Sequence, residues 1–340
     1  LDTGNTFSIQ SLPPVSINGY EEGLISIQFQ PDVQGDYTGT LSIPHSHPGS
    51  PLKLTLQAQA GDSLTLVLVG DGRHTATTND YGESFVYDHF ETELSETNLL
   101  QSGVCYGNGF FVSVGGFDYR NVWKSDDGIN WDNYMDTATT PIRDCAYGNS
   151  IFVGVSGDLV TSVDGQSWNI GATSQHEQQL RSITYGKQRF VAVGDAGRVS
   201  CTNDGQQWES DIVLGGSSLH QVIFGGDYFV AIGDNGTVVS SRDGRNWITK
   251  QFGDGSSWDG IAYENGLFYI GNGSEVMVSP NGKEWSLLTY TPVVPLITVG
   301  RTILGIGGNS LFKSTDAGLN WEQTYSFPAG LGFEDAVFSK

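Results

Sequence analysis

The stretch Phe190-Val-Ala-Val-Gly194-Asp195-Ala-Gly197-Arg198-Val-Ser-Cys201-Thr202-Asn-Asp204-Gly205-Gln-Gln-Trp208 decides the fold. It reads as a short strand, a tight turn at Gly194–Gly197, a second strand, and a turn carrying Thr202-x-Asp204-Gly205-x-x-Trp208. The same turn returns at Ser125…Asp127-Gly128…Trp131, Ser162…Asp164-Gly165…Trp168, Ser241…Asp243-Gly244…Trp247, Ser279…Asn281-Gly282…Trp285 and Ser314…Asp316…Gly318…Trp321. Six of the eight tryptophans close such a box, at spacings of 37, 40, 39, 38 and 36 residues. A period of that size, filled with short strands and turn signals, predicts β-propeller blades.

The chemistry of the box explains its residues. The Ser or Thr hydroxyl and the Asp carboxylate can accept hydrogen bonds from turn N–H groups that have lost ladder partners. Glycine supplies a positive φ, and the tryptophan buries a large ring in a seam between blades. The acids Asp80, Asp127, Asp164, Asp204, Asp243 and Asp316, with Asn281 in the equivalent place, are therefore read as structural. The pattern resembles the Asp-box (bacterial neuraminidase) repeat; Ser314 to Trp321 has the family spacing, and most other copies are one residue shorter. A seventh box, Thr78-Asn79-Asp80-Tyr81-Gly82-Glu83-Ser84-Phe85, has phenylalanine in place of tryptophan.

Every blade except the first is opened by its own strand: Ser102–Tyr106, Arg143–Tyr147, Arg181–Tyr185, His220–Phe224, Asp259–Tyr263 and Val294–Thr298. The missing one stands at the far end of the chain, Glu334–Phe338. The sequence thus predicts an all-β, seven-bladed propeller over 62–340, closed by amino- and carboxy-terminal strands, which removes free edges. Residues 1–61 have a different rhythm, with strands expected at 7–10, 23–30, 37–43 and 52–58. Ile25 to Leu56 resembles the latter part of an immunoglobulin-like choice-of-anchor D/ASH-type domain, which implies a small sandwich-like segment within a larger multidomain protein. His45 and His47, flanked by Pro44 and Pro48, are read as a solvated turn.

The formal charge of −22 argues against nucleic acid and anionic membranes as partners. No apolar run is long enough for membrane insertion as a helix. The chain begins at Leu1 and its only methionines are Met135 and Met277, so a processed or excised piece of a longer protein is expected. Cys105, Cys145 and Cys201 are read as buried thiols, without a disulfide or a metal. No phosphate loop, zinc signature or nucleophile elbow is present, and no cofactor is expected.

Chemistry is expected on the face opposite the boxes, where the innermost strands begin. Ser102, Arg143, Arg181, His220, Asp259, Val294 and Glu334 start those strands and would ring the mouth of a channel. Phe117, Tyr119 and Arg120, in an expanded turn of the second blade, and Trp258, outside any box, are expected to overhang the same face as stacking platforms. The acidic segment Tyr87–Leu100 is read as a solvated loop. Sialidases of the resembled family imply an Arg-Ile-Pro element and a three-arginine clamp; here the first blade offers Arg73, and Pro141-Ile142-Arg143 has the wrong order and blade. Asp259 and Glu334, with His220, are the best-placed groups for glycosidase-type acid–base work. The sequence reads as a secreted bacterial binding module for a glycan or an extracellular protein, leaning against an enzyme. The alternatives are a carbohydrate-active enzyme (glycoside hydrolase or polysaccharide lyase) at the same face, and an assembly scaffold, since similar propellers resemble the photosystem II assembly factor.

Overall fold

The computed structural model describes residues 7–11, 26–29, 35–43, 52–60, 65–70, 74–80, 84–89, 101–116, 120–134, 140–156, 158–173, 177–252, 255–299, 302–327 and 333–339. The chain divides into two compact units, Leu1–Ser63 and Leu64–Lys340. In the first, Phe7–Ser11 pairs antiparallel with Ser26–Phe29, and Gly35–Ile43 pairs with Leu52–Ala60 in unbroken register. His45 and His47 lie outside the described residues.

The second unit is a seven-bladed β-propeller of seven four-stranded sheets. Six blades run consecutively along the chain, from Gln101–Gly107 to Glu322–Ser326. The remaining blade is assembled from both ends: Phe333–Phe338 is its innermost strand, followed by Leu66–Gly70, His74–Thr78 and Val86–His89. Phe338 pairs with Leu66 and Phe333 with Gly70, so the ring closes through an antiparallel ladder. Val86–His89 corrects the loop expected from Tyr87; the outer strand of the first blade reaches into that segment.

The strands form where the sequence runs apolar on both faces, because each blade is packed between two others. Phe190–Val193 and Tyr228–Ile232 are buried throughout. In the second to sixth blades the first hairpin turns tightly, as at Asn149 and Ser150 (φ 48° and 63°), the left-handed pair a two-residue turn requires. At the end of four innermost strands a glycine (Gly107, Gly148, Gly186 or Gly225) meets an aromatic ring from the next blade. A Cβ on Gly148 would stand 2.3 Å from the Tyr185 ring, and one on Gly186 2.2 Å from the Phe224 ring. Only glycine permits that approach.

The box aromatics seal the seams. Trp168, of the third blade, packs among Phe110, Val112 and Val122 of the second, and Trp247 packs with Val191, Val193 and Val199 of the preceding blade. Phe85 does the same against Leu304 and Leu311 of the last blade, closing the circle.

The cysteines correct the sequence reading. Cys105 and Cys145 form a disulfide between the innermost strands of the second and third blades. Their separation of 40 residues is one blade period, and the propeller sets residues one period apart side by side. Closing a loop of that length contributes about 2–4 kcal/mol. Cys201 is a buried free thiol, and burial pushes it up from its ordinary value.

Candidate functional site

The boxes are turns built from their own hydrogen bonds. Ser241 Oγ donates to Asp243 Oδ1 at 3.0 Å and accepts from Gly244 N at 2.9 Å. Asp243 Oδ1 also accepts from Arg245 N and Asn246 N, at 2.9 and 2.8 Å. Asp127, Asp164, Asp204 and Asn281 accept in the same way from the N–H groups two and three residues on, and Asp316 from Asn320 N. Asp80 serves the variant box, accepting from Thr78 Oγ1 and Ser84 N. Burial works against the charge of Asp127, but hydrogen bonds from Asn130 and Ile129 outweigh it and draw the carboxyl down to about 2. Leaving such amides unpaired would cost about 1–3 kcal/mol.

The box residues lie opposite the ends of the innermost strands: Thr202 pairs with Phe190, and Phe190 with Tyr185. The starts of those strands are therefore at the other face. There a cavity of about 1080 Å³ opens, lined among others by Ser102, Arg143, Arg181, His220, Asp259 and Val294. A second cavity, of about 630 Å³, continues along the innermost strands to Gly107 and Asn108. Asp144, Ser182, Gln221, Leu296 and Asp335 line both and form the neck between them. Glu334 lies in the closing strand beside this neck, but its side chain is outside the described residues, as are Phe117 and Tyr119.

Two expected platforms are not on this face. Trp258 is fully buried, packed among Tyr228, Val230, Ile232 and Ile261. It occupies the place that Ile142, Leu180 and Leu219 hold in other blades, one residue before the strand-opening residue, and all of these are buried. Side chains alternate along a strand, so the opening residue faces the mouth and its predecessor faces the seam. Arg120 is also buried, its Nη1 donating to the Trp168 carbonyl at 3.2 Å.

Two of the four described strand-opening charges at the mouth are answered within their own blade. Arg181 is paired with Asp195 through Nε and Oδ1. His220 Nε2 lies 2.7 Å from Asp234 Oδ1, which also accepts from Ser257 Oγ at 3.0 Å. The hydrogen bond from His220 holds Asp234 below the usual carboxylate range. Asp259 is raised by burial and by the charge of Asp234, with His220 opposing. Sequence reasoning missed Asp195 and Asp234, although each follows the last glycine of a second strand, and that glycine pairs with the residue just before Arg181 or His220.

It also missed the carboxylates of the neck. Asp335 Oδ2 accepts from Val104 N of the next blade at 2.8 Å, and Asp144 Oδ2 from Ile183 N of the next blade at 2.9 Å. Each ties neighbouring innermost strands together. Burial of the carboxyl pushes Asp144 up to about 6, against hydrogen bonds from Ile183, Ser182 and Cys145, although the residue as a whole is only half-buried.

A pH profile follows from these opposed shifts. Asp144 lies above its ordinary 3.8, so its contribution is complete below about 4 and is lost as pH rises through 6. Asp127 lies below 3.8, so its contribution is present above about 4 and is lost as pH falls through 2. Denaturant unfolding across pH is expected to show both limbs, and Asp144→Asn should flatten the upper one. An upper limb unchanged in that variant would assign it to another group.

Among the described residues no three His, Cys, Asp or Glu side chains gather to hold a metal ion, and no helix is long and apolar enough to cross a membrane. No protein-family model and no curated protein matches the chain. Solved structures do match in shape. YCF48 bound to D1 peptide aligns with a TM-score of 0.55 and 17% identity, over 72% of this chain and 86% of that one. YCF48 from Cyanidioschyzon merolae gives 0.52 and 13%, over 66% and 84%, and a chain of the mitotic checkpoint complex gives 0.54 and 12%, over 67% and 77%. The shared feature is the propeller. At these identities the likeness is one of fold alone.

Proposed function

We propose that the propeller is a binding module that takes a peptide segment of a protein partner at the mouth of its channel. The observation that carries this is the cavity of about 1080 Å³ on which the strand-opening residues converge, with charges of both signs on its wall. A concave, mixed-polarity site suits recognition. One propeller of the same fold is described in complex with a peptide. A glycan reading loses an expected stacking platform because Trp258 is buried. We read the amino-terminal unit, with its two antiparallel ladders, as part of an immunoglobulin-like domain. The Cys105–Cys145 disulfide and the charge of −22 favour an exported protein.

The test is a binding screen of short peptides and of oligosaccharides against the wild type and a Pro292→Trp variant. Pro292 is an exposed residue of the cavity wall, so an indole placed there would narrow the mouth and leave the buried seams untouched. Peptide binding that the variant weakens by about tenfold or more, roughly 1.4 kcal/mol, is the expected result. Hits confined to oligosaccharides, or peptide binding indifferent to the substitution, would overturn the reading.

A further inference from the structure

The charges of the mouth are not equally committed. In the fourth and fifth blades the opening residues Arg181 and His220 are answered by Asp195 and Asp234, across the first ladder of the same blade. In the third and sixth blades Ser156 and Asn272 hold the places of Gly194 and Gly233, because Val155 and Gly271 pair as Val193 and Ile232 do, and the residue that follows each is a glycine, Gly157 and Gly273, where the other two blades carry the acid. Ser156 Oγ donates to the Asp158 carbonyl, and Asn272 Oδ1 accepts from Ser274 N and Glu275 N. Neither turns to its blade's opening residue.

Arg143 and Asp259 are thus left without an ionic partner. Both are exposed on the cavity wall, and among the described residues neither side chain makes a hydrogen bond or an ion pair. They stand three blades apart in a ring of seven, nearly opposite each other across the opening. Between them, the neck carboxylates Asp144 and Asp335 are occupied by backbone N–H groups. Among the described residues, the mouth therefore presents one uncommitted cation on one side and one uncommitted anion on the other.

Resting on the peptide-binding reading above, we propose that the mouth selects peptide segments bearing both a carboxylate and a cationic side chain. Arg143 takes the carboxylate and Asp259 takes the ammonium or guanidinium. The guanidinium fork of Arg143 matches a carboxylate in two hydrogen bonds. Asp259, partly desolvated and near the charge of Asp234, gains from an approaching cation that stabilises its carboxylate. A purely acidic segment would leave Asp259 uncompensated and face a protein of net charge −22. A purely basic one would be steered in by that charge but would meet Arg143 at the wall.

The experiment uses labelled peptides of equal length, blocked at both termini: one with Lys and Asp, one with Lys only, one with Asp only and one with neither. Binding is measured by fluorescence anisotropy on wild type, Arg143→Glu, Asp259→Lys and Pro292→Trp. Each exposed charge contact is worth a factor of roughly two to five, so the mixed peptide should bind about tenfold tighter than the neutral one. Arg143→Glu should make the Lys-only peptide the best ligand, and Asp259→Lys the Asp-only peptide. If Pro292→Trp weakens every peptide but charge reversal leaves their ranking unchanged, the pairing proposed here is wrong and the mouth reading stands. If Pro292→Trp weakens none of them, both fall.

Discussion

Deleting residues 333–340 is expected to unfold the whole propeller in one transition, not to fray one blade. The deleted segment supplies the innermost strand of the first blade, so its loss strips the ladder from Leu66–Gly70. Ser339 N donates to the Thr65 carbonyl at 2.9 Å, and Thr65 N donates to Ser339 Oγ at 2.9 Å. Asp335 leaves with the strand, taking its acceptor from Val104 N of the second blade. Phe338 leaves the core that joins the first blade to the last, with Leu66, Leu68, Leu304 and Leu311. An opened ring would expose apolar seams on two sides and an unpaired strand edge. The loss is comparable to the stability of a domain, about 5–15 kcal/mol. Circular dichroism and tryptophan fluorescence should both report unfolded protein at room temperature. A truncated chain melting within a few degrees of the parent would show that the closing strand is dispensable.

Trp258→Ala is expected to cost about 3–5 kcal/mol, the range for removing a large aromatic from a packed core. Trp258 has no exposed surface and touches the cluster of Tyr228, Val230, Val238, Ile261, Phe268 and Ile270 that spans the fifth and sixth blades. Relaxation around the gap is limited, because both walls are ladder strands. Trp258→Phe should lose a fraction of that, since most of the ring contact persists. In either variant, studied below its melting temperature, peptide affinity at the mouth should stay within about twofold, because the indole does not line the cavity. Urea unfolding and anisotropy on the same samples check both statements. A Trp258→Ala protein as stable as the parent, with binding lost, would return this residue to the ligand face.

The sequence by itself determined the architecture. The recurring Ser-x-Asp-Gly-x-x-Trp turn sets the period, and each residue of it has a local task that the structure shows it performing, from the Ser241 hydroxyl on Gly244 N to the Asp243 carboxylate on Arg245 N. Local turn chemistry can be read because its partners lie within four residues along the chain. Closure was legible too, since the first blade lacks an opening strand and the chain ends with one. The convergence of Arg143, Arg181, His220 and Asp259 on one opening followed from their shared place at the start of the innermost strands.

Tertiary structure alone decided what depends on distance across blades and on which way a side chain points. Cys105 and Cys145 are remote in sequence and adjacent in space because one period brings a residue beside its counterpart in the next blade. Trp258 and Asp259 are consecutive, yet alternation along an extended chain turns one into the seam and the other to the mouth. Which charges are free was likewise settled at the end of the first ladder: Asp195 and Asp234 neutralise Arg181 and His220, and the third and sixth blades carry Gly157 and Gly273 after Ser156 and Asn272, with no acid in that place. A propeller's repeat fixes where each position falls, and the residue across the ladder fixes whether its charge remains for a ligand.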